Sequence, residues 1–99
     1  MTAYNIVRFK VKPGREAEFL ELQKQQSGQM KGLHKLALIK TGDRTYCLMG
    51  EWGAMGDLVA ARPTMIASLD KMRPLLEDLG GGLGVTDPVS GEAVMEIKL

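Results

Sequence analysis

The fold of this chain is decided by the stretch Tyr4–Val11 (YNIVRFKV) and by the break at residues 12–14 (KPG) that follows it. Apolar side chains at every second position alternate with Arg8 and Lys10, which is the period-2 pattern of a strand with one buried face. The next residues are rich in Glu, Leu, Lys, Gln and Ala, which favour helix. The sequence therefore predicts a strand over Tyr4–Val11 and a helix over Arg15–Gln26 that ends near residues 27–28.

The middle and end of the chain predict three more strands and a second helix. An apolar run over Leu33–Lys40 and a strand-like run over Thr45–Trp52 flank the turn sequence at 41–43 (TGD), which predicts a hairpin. Pro63 stands at a favoured first helical position, and apolar residues then recur three and four apart, so a long helix is predicted over 63–79 with a kink at Pro74. Turns at 87–88 and 90–91 lead to a predicted final strand over Ala93–Leu99.

This order of elements predicts an α+β, ferredoxin-like split βαβ fold, in which a four-stranded antiparallel sheet carries two main helices on one face. A chain of 99 residues is expected to form a single domain over residues 1–99. The other sheet face is predicted to mix charged and apolar side chains: Arg8, Lys10, Lys35, Glu51, Glu96, Lys98, Tyr4, Ile6 and Met49. Because that mixture is too apolar for water and too charged for the core of a monomer, we expect a homodimer with the two sheets face to face.

The composition argues against several classes of protein. With 44% hydrophobic and 25% charged residues the chain is typical of a globular domain. The net charge is +1 and basic and acidic residues are interspersed, so neither nucleic acid nor a membrane surface is an expected partner. No apolar run approaches the roughly 20 residues of a membrane span. The sequence shows no signal-peptide pattern and a lone Cys47, so we expect a cytoplasmic location.

Strand parity predicts where polar side chains of interest lie. If the apolar sides of the strands face the helices, then Asn5, His34, Tyr46 and Trp52 point into the space between sheet and helices. An amide donor, an imidazole and an indole placed there can orient a planar phenolic substrate and stabilise its anion. The alternative is that Asn5 and His34 solvate their polar atoms at strand ends while Trp52 fills the core, and a register error of one residue would reverse every facing assignment.

The first strand, the segment KPGREAEF at 12–19, the strand end Glu51-Trp52 and the terminal strand together resemble the antibiotic biosynthesis monooxygenase-like group of dimeric α+β barrels. The resemblance implies a small homodimer. Some members of the group oxidise anthrone-type polyketides without metal or flavin, some degrade haem, and others handle quinones or signals. The resemblance also implies catalytic roles for Asn5 and Trp52. Haem degradation requires a His on the helix after the Trp strand, where this chain offers only Arg62 as a nearby polar candidate.

Two hypotheses for function follow. The first is a cofactor-independent monooxygenase for a small aromatic, quinol or polyketide-like substrate, with no cofactor and no metal. Its candidate residues are catalytic Asn5, Trp52 and His34 and substrate-binding Tyr46, Arg62 and Met65. The second is a non-catalytic dimeric module that binds a small molecule or a partner. A cavity of several hundred cubic ångströms that reaches Trp52 would favour a ligand over a filled core.

Overall fold

A computed structural model describes residues 1–26 and 30–99, so the predicted end of the first helix near residues 27–28 lies outside the described residues. The strands and helices have these bounds: β1 Ala3–Val11, α1 Glu16–Gln26, β2 Leu33–Gly42, β3 Thr45–Trp52, α2 Met55–Met72, β4 Leu76–Glu77 and β5 Asp87–Glu92. A 3-10 turn over Arg73–Leu75 joins α2 to β4. Among the described residues, no helix is long and apolar enough to cross a membrane.

The strands form one antiparallel sheet in which β1 is central. Strand β3 lies on one side of β1, and β2 lies beyond β3. The other side of β1 is shared, because β4 pairs with Lys10 and Val11 while β5 pairs with Ala3–Arg8. The predicted α+β ferredoxin-like fold is confirmed, with two short strands in the fourth position of the sheet.

The hairpin between β2 and β3 turns at Asp43 and Arg44. Arg44 has a φ of 56°, in the left-handed region that a side chain rarely adopts. Its guanidinium Nη1 donates to the carbonyl of Val11 at 3.0 Å and to Oε1 of Glu77 at 2.7 Å. These hydrogen bonds link the hairpin to β1 and β4, so Arg44 stabilises the sheet at this end.

Helix α2 begins eight residues before the predicted position, so the predicted start at Pro63 is wrong. The carbonyl of Ala54 accepts the N–H groups of Asp57 and Leu58, and this starts the helix at Met55. Pro63 lies inside α2, where it cannot donate a hydrogen bond to the carbonyl of Val59. Both residues are on the exposed side of the helix, where water can replace that bond.

The end of the chain also differs from prediction. Pro74 lies in the 3-10 turn and terminates α2 instead of kinking it, so the predicted helical residues up to 79 are not helical. The last strand is Asp87–Glu92, and the strand predicted over Ala93–Leu99 is wrong. Pro88 and Gly91, which suggested turns, lie on an edge strand, where the missing N–H of proline is tolerated.

Side chains on the helix side of the sheet form two buried groups. The closed end consists of Phe9, Val11, Phe19, Tyr46, Met72, Leu75 and Leu76. The open end consists of Ala3, Trp52 and Leu58, with Asn5 buried beside them. The predicted helix-facing parity of β1 and β3 is therefore confirmed.

Candidate functional site

A cavity of about 460 Å³ lies between the helix side of the sheet and the two helices. Most of its wall is apolar and comes from every layer of the fold: Val7, Leu36, Leu48, Leu58, Ile66 and Leu69 are examples. Trp52 and Asn5 line it at the open end. The volume is within the range of small-molecule sites, roughly 300–1,000 Å³, and it meets the criterion that favours a ligand over a filled core.

The Asn5 side chain is fixed by the only tryptophan in the chain. Asn5 is 8% exposed, and its Oδ1 accepts a hydrogen bond of 2.6 Å from the indole Nε1 of Trp52. Its Nδ2 points to Sδ of Met65 at 3.8 Å. A thioether is a weak acceptor, so the amide keeps donor capacity for a ligand oxygen in the cavity. Because the indole N–H is already bonded to Asn5, Trp52 orients Asn5, and the Asn5 amide is the group that can donate to a ligand.

Gly50 makes this pair possible. It lies opposite Asn5 in the register of β1 and β3. A Cβ at position 50 would be 2.3 Å from Oδ1 of Asn5 and 3.0 Å from Nε1 of Trp52, so any side chain there would displace Asn5. Gly50 was not predicted as a site residue from the sequence, although a glycine inside a strand often marks such a close approach.

One corner of the cavity is polar. Ser90 of β5 lies opposite Asn5 across β1, and its Oγ accepts a hydrogen bond of 3.2 Å from Nη2 of Arg62 on α2. We call Asn5, Ser90 and Arg62 the polar corner. Arg62 is the only ionisable side chain that lines the cavity among the described residues. Ser90 was missed from the sequence because a turn was predicted where β5 runs.

The prediction that His34 points between sheet and helices is wrong. Leu33 pairs with Trp52 and Lys35 pairs with Glu51, so His34 is the extra residue of a β-bulge. A bulge shifts the parity of a strand by one, which moves the imidazole off the helix face. His34 is exposed and lies beside Gly53, outside the cavity.

Tyr46 faces the helices as predicted but lies at the closed end, away from the cavity lining. Its ring packs against Phe9 and Phe19, with centroid distances of 6.4 and 5.5 Å. Its hydroxyl donates to Oε2 of Glu16, which also accepts from Nζ of Lys40 at 3.0 Å. The Glu16 carboxylate raises the pKa of the Tyr46 phenol, and the hydrogen bond from Tyr46 lowers the pKa of Glu16.

Another polar side chain on the cavity wall has an oxygen atom without a hydrogen-bond partner within the described part of the chain. Gln23 of α1 lines the cavity, and its Oε1 is buried without a hydrogen-bond partner among the described residues. An unmet buried acceptor costs about 1–3 kcal/mol. Gln23 therefore adds an amide to the few polar groups that a ligand in this cavity can meet.

The arrangement contains few groups for acid–base or metal chemistry. Within residues 1–26 and 30–99, no three or more His, Cys, Asp and Glu side chains lie together as metal ligands would. The described cavity wall also carries no carboxylate and no imidazole. What it offers chemically is a shaped apolar space, a fixed amide donor and a guanidinium.

Comparison with known proteins places this geometry in a wider group. No protein-family model and no curated protein sequence matches the chain. Solved structures do match, and one is SnoaB, a cofactor-independent oxygenase from Streptomyces nogalater. It is 16% identical, has a TM-score of 0.74, and the alignment covers 97% of this chain and 96% of SnoaB. The chain has the antibiotic biosynthesis monooxygenase fold.

Two further structures support that assignment of the fold. A Bordetella bronchiseptica protein, provisionally named an antibiotic biosynthesis monooxygenase, is 22% identical with a TM-score of 0.68, over 95% of this chain and 98% of its own. Rv0793 from Mycobacterium tuberculosis is 13% identical with a TM-score of 0.77, over 99% and 100%. At such identities the likeness is one of fold, and it confirms the fold that the sequence resemblance implied.

Proposed function

We propose that the protein is a cofactor-independent monooxygenase that oxidises a small aromatic, quinol or polyketide-like molecule in the cavity beside Trp52. The observation that carries this proposal is the Asn5 amide, fixed by Trp52 and held at the wall of an apolar cavity of about 460 Å³. A preorganised donor in an apolar site stabilises negative charge that develops on a bound substrate. The fold shared with SnoaB, a cofactor-independent oxygenase, supports the same reaction class.

The reaction needs little from the protein because the substrate supplies the electrons. A methylene group flanked by aromatic rings and conjugated to an oxygen loses a proton and becomes a delocalised anion. The anion reduces O₂; one oxygen atom becomes a carbonyl on that carbon and the other leaves as water, so that R₂CH₂ + O₂ gives R₂C=O + H₂O. Asn5 donates a hydrogen bond to the oxygen that carries the anionic charge. Trp52 and Met65 contact the ring and keep Asn5 oriented.

The composition of the cavity wall bears on how the substrate loses its proton. Because the described wall holds no carboxylate or imidazole, the substrate must be acidic enough to ionise without a protein base. His34, the base candidate from the sequence, lies outside the cavity. A substrate whose anion is spread over several rings meets this requirement.

Oxygen uptake tests the proposal against the non-catalytic binding module, which the same cavity would also suit. Anthrone in aerated buffer should be consumed with one O₂ per anthraquinone formed, faster than in buffer alone. Trp52→Phe removes the bond to Asn5 and should lower the rate, whereas Tyr46→Phe is the matched aromatic control at the closed end and should leave it unchanged. Binding of anthrone without faster oxygen uptake would support the module, and absence of binding would contradict both.

We also propose that the outer face of the sheet, on the side away from the helices, is the contact of a homodimer. This face exposes apolar surface at Ile39, which is 43% exposed. Some of its polar groups have partners within the chain: Nη2 of Arg8 lies 3.0 Å from Oδ2 of Asp87, and the Tyr4 hydroxyl lies within hydrogen-bond distance of the carboxylates of Glu51 and Glu96. Those two carboxylates raise the pKa of Tyr4 to about 12. Polar groups that already have a partner cost less to cover with a second copy than groups that have none.

Sedimentation tests the dimer. The wild-type chain is expected to be dimeric at micromolar concentration, and Ile39→Asp is expected to be monomeric. Val59 on α2 is 45% exposed, so Val59→Asp is a matched control that should stay dimeric. A wild-type chain that sediments as a stable monomer would contradict the proposed interface.

A further inference from the structure

We propose that the polar corner selects an aromatic ligand that carries an oxyanion, which binds between the Arg62 guanidinium and the Asn5 amide. Ser90 acts as the positioning residue that holds Arg62 over the cavity. The inference rests on the proposed ligand site and specifies the class of molecule that this site prefers.

Among the strand residues that line the cavity, the sheet register confines polar side chains to one row, while Gln23, Ser68 and Thr86 line it from other segments. Leu36, Gly50, Asn5 and Ser90 form one row across β2, β3, β1 and β5. The next row, Leu38, Leu48, Val7 and Pro88, has no polar side chain. The hydrogen bond from Arg62 to Ser90 brings the guanidinium to the polar end of the first row. On the sheet side, a ligand in the cavity therefore meets apolar surface along most of its length, and it meets the Asn5 amide and the Arg62 guanidinium at one end.

No carboxylate among the described residues pairs with Arg62. The chain has five arginines, and Arg8, Arg15, Arg44 and Arg73 each have a carboxylate within ion-pair distance. In the part of the chain that the structure describes, Arg62 is the exception, and its recorded partner is the neutral hydroxyl of Ser90. A guanidinium presents several N–H groups in a plane that matches a carboxylate, so it can bind Ser90 and an anion together.

The size of the preference follows from the exposure of Arg62. Its side chain is exposed at the cavity mouth, so solvent screens part of the attraction, as in surface ion pairs. The apolar wall on the other side strengthens it relative to open water. We therefore expect a preference for the anion of about fivefold to tenfold in Kd.

Calorimetric titration of the full chain with two probes of nearly equal shape measures this preference. At neutral pH 2-naphthoate is an anion and 2-naphthamide is neutral. The wild-type protein should bind 2-naphthoate about fivefold to tenfold more tightly. Arg62→Gln should abolish the preference by lowering the affinity for 2-naphthoate much more than that for 2-naphthamide, and Ser90→Ala should reduce the preference. Arg73→Gln is the control, because Arg73 pairs with Asp70 and does not line the cavity.

The outcomes separate this inference from the proposed function. Equal affinities for the two probes in the wild type, or a preference that persists in Arg62→Gln, would overturn anion selection and keep the cavity as an aromatic site. If neither probe binds, both the inference and the ligand site of the proposed function are lost.

Discussion

Tyr46 and Trp52 lie on the same strand and the same face of the sheet, yet the structure uses them differently. Tyr46 at the closed end is surrounded by Phe9 and Phe19, and its hydroxyl reaches outward to Glu16. Trp52 at the open end turns its N–H inward to Asn5 and borders the cavity. Tyr46, whose hydroxyl is bonded near the surface, fills the core with its ring. Trp52, whose N–H is bonded inside the fold, orients a polar side chain at the cavity wall.

The cavity extends to the closed end, where Phe9, Phe19, Met72 and Leu76 also line it, but the Asn5–Trp52 pair and Arg62 lie at the open end. The difference therefore assigns polar recognition of a ligand to the open end and most of the buried packing to the closed end. The closed end has close aromatic packing and buried leucines from the segment after α2. At the open end, space is kept free by Gly50 and by the apolar wall of the cavity. Substitutions at the two ends should therefore affect different measurements.

The largest expected effect is on stability at the closed end. Leu75 is 3% exposed and does not line the cavity, so Leu75→Ala should lower the free energy of unfolding by about 2–5 kcal/mol. Leu69→Ala should cost less, because Leu69 is only partly buried and borders the cavity. Asp70→Ala on the exposed surface should be nearly neutral, since exposed ion pairs contribute little. Denaturant unfolding measures all three, and equal midpoints would show that Leu75 does not contribute to the core in the way its burial indicates.

Asn5→Ala should have the largest effect on function. Loss of one preorganised donor costs about 10²–10³ in turnover, so oxidation of anthrone should fall by that factor. The matched control is His34→Ala, which removes an exposed polar side chain outside the cavity and should leave turnover nearly unchanged. Similar losses in the two variants would mean that the bulged end of β2 takes part in the reaction.

Gly50→Ala should lower both ligand affinity and stability by moderate amounts. The added methyl group forces Asn5 away from Trp52, so the amide is no longer held in place and ligand affinity should fall. Stability should fall by about 1–3 kcal/mol from overpacking. Gly42→Ala is the control, because a Cβ there would meet Thr45 at an ordinary 3.9 Å. Ligand affinity that is unchanged in Gly50→Ala would show that the Asn5–Trp52 bond is not needed.

The smallest expected effect concerns Glu16, whose pKa is lowered first by the Tyr46 hydrogen bond and then by Lys40. A carboxyl group with a lowered pKa in the folded state stabilises the fold above its unfolded pKa, here 4.5, and loses that contribution as pH falls through the folded value. Glu16→Gln should therefore be less stable than wild type at neutral pH, with a difference that shrinks below about pH 4.5. Thermal melts across pH test this, and ligand affinity should not change.

Several features could be predicted from the sequence because they depend on local periodicity. The alternation in Tyr4–Val11 and Thr45–Trp52 was sufficient to place Asn5 and Trp52 on the helix side. His34 could not be placed this way, because one bulged residue reverses parity and nothing in the local pattern marks it. Ser90 was missed since Pro88 and Gly91 indicate a turn locally, while pairing with β1 makes an edge strand. The polar corner is thus a tertiary feature that depends on strand register.

The central claim, that the Asn5–Trp52 pair at the open end recognises the ligand, is tested most directly by a nuclear magnetic resonance titration with anthraquinone-2-carboxylate. The account predicts shifts of the single indole N–H signal from Trp52 and of the side-chain amide of Asn5. The backbone amides of Tyr46 and Lys40 at the closed end should not move. Saturating probe with no shift at Trp52, or with shifts confined to the closed end or the outer sheet face, would contradict it.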